Sequence, residues 1–73
     1  MNDIYVMIIR EIVESILEGV KETKESDDYG ELQQGILIGY YDSLISIREE
    51  VETNGIDLKD VLLDFNIEDI VSD

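Results

Sequence analysis

Nineteen acidic side chains dominate the chemistry available to this 73-residue chain, so the first question is whether any two are spaced to work as a pair. At helical spacing Glu11 shares a face with Glu14 and Glu18, Glu18 with Glu22, and Asp60 with Asp64. Hydrolysis by two carboxylates needs them across a cleft, one with its pKa raised by burial. These pairs instead lie side by side on strips expected to face water. Ser15, Ser43 and Ser46 have no histidine to activate them, because the chain has neither histidine nor cysteine. That absence also removes thiol nucleophiles, disulfides and the usual zinc ligands. The acid-rich run DLKDVLLDFNIED lacks the alternating oxygen ligands, central glycine and terminal glutamate of a calcium loop. No catalytic residue, metal site or cofactor site is therefore expected, and the chain reads as a protein that is not an enzyme.

The stretch GILIGYYDSL, residues 35–44, is the other candidate for chemistry. It is not a phosphate loop, since no Lys-Ser or Lys-Thr follows and the glycines fall inside a helical pattern. On a helix Gly35 and Gly39 sit one turn apart on one face, where their missing side chains admit a neighbouring helix. Close helix packing is the expected use of that face. Tyr40 belongs to the apolar stripe, with its hydroxyl at the rim. Tyr41, about 100° round the helix, is expected at the surface as a partner contact, a setting that suits tyrosine.

The elements that position these residues are legible from periodicity. Tyr5, Ile8, Ile9, Ile12, Val13, Ile16, Leu17 and Val20 follow the three-and-four spacing of a helix face, and strand alternation fails at three consecutive apolar pairs. Asn2 or Asp3 is the expected cap. Gly19 costs roughly 1 kcal/mol relative to alanine if helical, and marks either a close approach or early fraying. SDDYGE breaks the pattern, with Asp28 and Glu31 spaced as a reciprocal cap. A second helix is then expected over about 29–54, packing through Leu32, Ile36, Tyr40, Leu44, Ile47 and Val51, with Leu37, Tyr41 and Ile45 beside them, and ending at Asn54–Gly55 with the glycine left-handed. Asp57 and Asn66 read as caps of two short helices, 58–64 and 67–71, each flanked by an apolar pair: Ile56 with Val61, then Phe65 with Ile70. Arg10 and Arg48 are spaced to pair with Glu14 and Glu52. The expected architecture is all-α: one domain over residues 1–73, an antiparallel two-helix hairpin followed by one or two short C-terminal helices, completed by dimerisation.

Size and charge bound the partners. A chain this short buries only about 60% of its extended surface, so the core is thin. The net charge is -14, and residues 49–73 carry nine of the acids with Lys59 as their sole base. Such a chain repels nucleic acid and anionic membrane, and its plausible charged partner is a basic host protein. Its longest apolar run, Ile4 to Ile9, is far too short to span a bilayer and is not preceded by positive charge, which places the protein in the cytoplasm. That run covers the whole circumference of the first turn and a half of the first helix, more than one neighbouring helix can bury. Either the C-terminal helices or a second copy must cover the rest, and a two-fold dimer is the default homo-oligomer. The expected interface comprises Tyr5, Ile8, Ile9, Ile12, Gly35, Gly39 and Tyr41. A second function class follows from the charge: exposed Glu11, Glu14, Glu18, Glu49, Glu50 and Glu52 would imitate nucleic-acid phosphates and occupy a basic groove.

The run GILIGYYDSLISIREEVETNGIDLKDVLLDF, residues 35–65, resembles small acidic proteins of unknown function from Gram-positive bacteria and their prophages. In those proteins a helix with a Gly-Tyr-Tyr element leads through a Gly-Ile-Asp turn to a Leu-Asp-Phe ending. The resemblance implies an accessory or host-interaction role, with inhibition of a host or rival protein as one form of it.

Overall fold

The computed structural model describes residues 3–28 and 30–72. Two long helices, α1 (Asp3–Lys24) and α2 (Glu31–Thr53), form an antiparallel hairpin, and two short 3-10 helices follow, η1 (Leu58–Val61) and η2 (Ile67–Ile70). The all-α class and the order of elements agree with the sequence. Asn2, the Asp3 side chain and Tyr29, to which a cap and the start of the second helix were assigned, lie outside the described residues.

The hairpin closes on heptads. Val6, Val13 and Val20 on α1, and Leu37, Leu44 and Val51 on α2, recur every seven residues, a spacing that drifts only about 20° per two turns and so keeps facing a partner helix. Val13 and Leu44 are fully buried. The four-residue series Leu32–Ile36–Tyr40–Leu44 behaves differently, because each step advances about 40° round the helix. It winds off the packing face, so Leu32 is 71% and Ile36 39% exposed, and Leu37 takes the buried place expected of them.

Glycine roles are redistributed. Gly19 lies within α1, and a Cβ built there would come 2.5 Å from the Tyr40 hydroxyl oxygen and 2.7 Å from its ring carbon Cζ. Close approach is thus its function, and the helix does not fray there. Around Gly35 and Gly39 no atom lies within 4 Å of the corresponding Cβ position, so neither packs against α1 in this chain. A paired prediction follows. Gly35→Ala is expected to raise stability by about 0.5–1 kcal/mol through helix propensity. Gly19→Leu is expected to lower it by about 1–2 kcal/mol, since overpacking displaces the Tyr40 ring by more than propensity returns. Urea unfolding midpoints of the two variants measure both.

The ends of α2 show how local chemistry sets boundaries. Its N-cap is Gly30, and the Gln33 side-chain oxygen accepts the Gly30 backbone N–H at 3.0 Å. The reciprocal Asp28–Glu31 cap expected from sequence is not formed; the Asp28 N–H instead donates to Ser26 Oγ at 3.4 Å. At the other end Gly55 adopts φ +71°, and the Ile56 N–H donates to the Val51 carbonyl at 3.0 Å, the glycine-closed helix end that Asn-Gly encodes.

Beyond it the chain crosses one face of the hairpin. The Asp57 carboxylate accepts the Lys59 N–H at 3.0 Å and starts η1, whereas Asn66 makes no side-chain cap and its amide donates to Asp69 at 3.3 Å. The first short helix stops at Val61, not at 64, because Leu62 is left-handed at φ 63°. Continued helix would set Val61 and Leu63 about 200° apart; the reversal lets both point inward, and they are 0% and 1% exposed. Ile67 and Ile70 complete the core, while Phe65 stays 38% exposed. Two polar links hold this segment in place: Lys24 Nζ donates to the Asp69 carbonyl at 3.2 Å, and Arg48 pairs with Glu68 at 3.9 Å, not with Glu52. The pair is half exposed and worth at most about 1 kcal/mol.

Candidate protein-binding face

The crossing segment leaves the opposite side of the hairpin uncovered. On α1 that side carries Tyr5 (63% exposed), Ile8 (48%) and Ile12 (49%); on α2 it carries Leu32, Ile36 and the half-buried Tyr40 and Ile47. Helical geometry places each set on one flank, next to the core stripe and away from Lys24 and Arg48, which hold η2. The Gly19–Tyr40 contact joins the two flanks midway along the hairpin. Towards the open end they border a furrow of about 550 Å³ lined by Tyr5, Ile9, Ile47, Val51 and Ile56, with Glu50 and Asn54 at its edge. Single exposed apolar residues are ordinary on monomers; here those of α1 lie toward the open end, where Tyr5 lines the furrow, and Leu32 and Ile36 lie toward the other end of the same side.

The expected interface residues divide. Tyr5, Ile8 and Ile12 are on this face, and Ile9 lines the furrow while packing on the core. Gly39 lies at the outer edge of the same face and Gly35 just beyond it, both open. Tyr41 is not the exposed tyrosine expected: it is half-buried against the core on the side toward the C-terminal segment. Leu32 and Ile36, which the sequence assigned to the core, are exposed on the α2 half of the face, whereas Ile47 packs on the core as expected and also lines the furrow. The four-residue drift of Leu32 and Ile36 was the available signal.

The acidic set also divides. Glu11, Glu14 and Glu18, with Ser15, Gly19 and Glu22, line a shallow groove along the outer edge of α1. On α2, Glu50 borders the apolar furrow, but helical geometry turns Glu49 and Glu52 elsewhere. All six are exposed, and they do not make one continuous surface. None of the five basic residues falls on the bare face. Among the described residues the core contains no polar or charged side chain, no buried side-chain polar atom lacks a partner, and no group of three acidic residues converges as a metal site would require. No described helix is long and apolar enough to cross a membrane.

Fold and surface define a class: a small all-α hairpin, crossed on one side by η1 and η2 and carrying exposed apolar residues on the other. Comparison with family models, curated proteins and solved structures found no match.

Proposed function

We propose that this protein is a non-catalytic protein-binding module whose working surface is the bare apolar face of the hairpin. The observation that carries the reading is the exposed apolar surface on one side of the hairpin, Tyr5, Ile8 and Ile12 on α1 and Leu32 and Ile36 on α2, opposite the side that the C-terminal segment crosses. Retaining that much apolar surface costs solubility and gains nothing for a monomer, whereas burial against another protein contributes about 25 cal/mol per Å². An accessory role is also what the resemblance read in residues 35–65, to small acidic proteins of unknown function from Gram-positive bacteria and their prophages, implies. The test compares stoichiometric co-purification by the tagged chain and by its Ile8→Glu/Ile12→Glu variant. Every binder, further copies of the chain included, is expected to be lost with the variant; the same set retained on both would contradict the reading.

A second reading, an acidic inhibitor that occupies a basic groove, draws on the Glu11–Glu14–Glu18–Glu22 row. Its carboxylates recur every three or four residues, roughly 4.5–6 Å along the helix axis, which is sparser than phosphates at about 3.4 Å per nucleotide. Under this reading Glu11→Lys/Glu14→Lys/Glu18→Lys abolishes binding to the basic partner. Under the first it does not abolish association.

A further inference from the structure

At the end of α2 the Asn54–Gly55 turn brings together the groups of a covalent reaction. We infer that Asn54 is a spontaneous deamidation site, held in check by the helix end it forms, and that its conversion loosens the C-terminal segment where it leaves α2. The only co-reactant is water. The Gly55 backbone nitrogen, having lost its proton to solvent, attacks the Asn54 side-chain carbonyl carbon Cγ. The new bond closes a five-membered succinimide ring, the Cγ–Nδ2 bond breaks, and Nδ2 leaves as ammonia, taking up a proton in place of the one lost. Water then opens the ring at one of its two carbonyls. Opening at Cγ leaves aspartate on a normal backbone; opening at the Asn54 backbone carbonyl leaves isoaspartate, in which the chain runs on through the side chain. Nothing is oxidised or reduced.

Exposure and backbone geometry select this position. Asn54 and Gly55 both face water. Gly55 has no side chain to shield its nitrogen, and no neighbouring atom lies within 4 Å of where a Cβ would stand. The φ of +71° that closes the helix favours glycine at that place, so the residue that ends α2 is also the one that leaves this nitrogen open. Asn66 is the contrast: Ile67 follows it, branched at Cβ and fully buried.

The native turn holds the reaction back. At ψ 6° for Asn54 the Gly55 nitrogen nearly eclipses the Asn54 backbone nitrogen and is turned away from the side chain it must attack. Its N–H donates to the Glu52 carbonyl at 3.1 Å, and Asn54 Nδ2 donates to the Glu50 carbonyl at 2.7 Å. Ring closure therefore waits on opening of the turn. That opening is local, because Glu52, Thr53, Asn54 and Gly55 are all exposed and their release uncovers little apolar surface. The product acts further along the chain. Isoaspartate inserts one carbon into the backbone ahead of Gly55, which breaks the spacing behind the Ile56 N–H bond to the Val51 carbonyl at 3.0 Å. Either product adds a carboxylate at a helix C-terminus, where the dipole disfavours it, and on the furrow that Glu50 borders. Ile56 packs on the core and is the first anchor of the segment that supplies Val61 and Leu63.

The experiment holds the full chain in native buffer and, in parallel, unfolded in urea, and follows Asn54 and Asn66 by peptide mass and isoaspartate content. In urea, Asn54 is expected to convert at least tenfold faster than Asn66. In native buffer, conversion is expected to slow at least tenfold and to stay confined to Asn54, and Asn54→Gln, which would need a six-membered ring, is expected to stay intact. The converted chain, separated by its added negative charge, is expected to exchange the amide hydrogens of Ile56 and residues 58–63 at least tenfold faster than the unconverted chain, with those around Leu44 unchanged. Equal conversion of Asn54 and Asn66 would overturn the site, equal rates in buffer and urea would overturn the restraint by the helix end, and unchanged exchange in the converted chain would overturn the loosening of the segment.

Discussion

Leu44→Ala is expected to lower the free energy of unfolding by 2–5 kcal/mol, the range for deleting a buried leucine side chain that its surroundings only partly refill. Leu44 is fully buried at the centre of the Leu37–Leu44–Val51 heptad and belongs to the single core cluster that also contains Val13 of α1 and Val61 and Leu63 of the C-terminal segment. The effect is large because the molecule is small: at roughly 0.05–0.15 kcal/mol per residue, 73 residues give only about 4–11 kcal/mol in total. Removal of this one side chain therefore abolishes much of the stability. Thermal unfolding followed by circular dichroism checks it, with the melting temperature falling by at least about 8 °C on the roughly 4–8 °C per kcal/mol typical of domains this size. Leu32→Ala, at an apolar residue of the same helix that is 71% exposed, is expected to change the unfolding free energy by less than about 0.5 kcal/mol.

Ile8→Glu/Ile12→Glu is expected to have the opposite profile: little change in unfolding of the isolated chain and at least a 100-fold weakening of self-association. Both side chains are about half exposed in the single chain, so their replacement removes little of its core packing. Burial of the remaining exposed area of the two residues is worth about 1 kcal/mol each, and two carboxylates taken into an apolar seam lose hydration without a basic partner on this face. Sedimentation equilibrium of the variant against the wild type measures the loss. An unchanged dissociation constant would place the interface elsewhere.

Much of the fold was legible because its signals are local. The three-and-four spacing of Ile8, Ile9, Ile12, Val13, Ile16 and Leu17 defines a helix without reference to anything else in the chain, and Asn54–Gly55 and Asp57 terminate and restart it through their own backbone and side-chain chemistry. Long-range choices were less accessible. The sequence shows that the first turn and a half of α1 is apolar all round, but which side is covered depends on the path of η1 and η2. That path turns on a left-handed leucine, Leu62, which no residue-type preference indicates. The exchange of roles between Gly19 and the Gly35–Gly39 pair has the same origin. Whether a glycine meets a neighbour depends on which flank the other helix occupies. Tyr40 and Tyr41 illustrate the limit most simply: both are half-buried, one against Gly19 and the other against the core toward the C-terminal segment. Their relative direction was fixed by helix geometry, but their environments were not.

Charge sharpens the choice between a second copy and a basic protein as occupant of the bare face. Two copies bring together two chains of net charge -14, so their association should strengthen as salt screens the repulsion, whereas binding to a basic protein should weaken. Solution mass by light scattering after gel filtration, from about 0.05 M to about 1 M salt, over which the screening length falls from above 10 Å to roughly 3 Å, is therefore the most direct test. The predicted result is twice 8.4 kDa, approached more fully at the higher salt and reverting to 8.4 kDa for Ile8→Glu/Ile12→Glu. A mass of 8.4 kDa throughout the series, or a dimer indifferent to those two substitutions, would contradict dimerisation through the bare face.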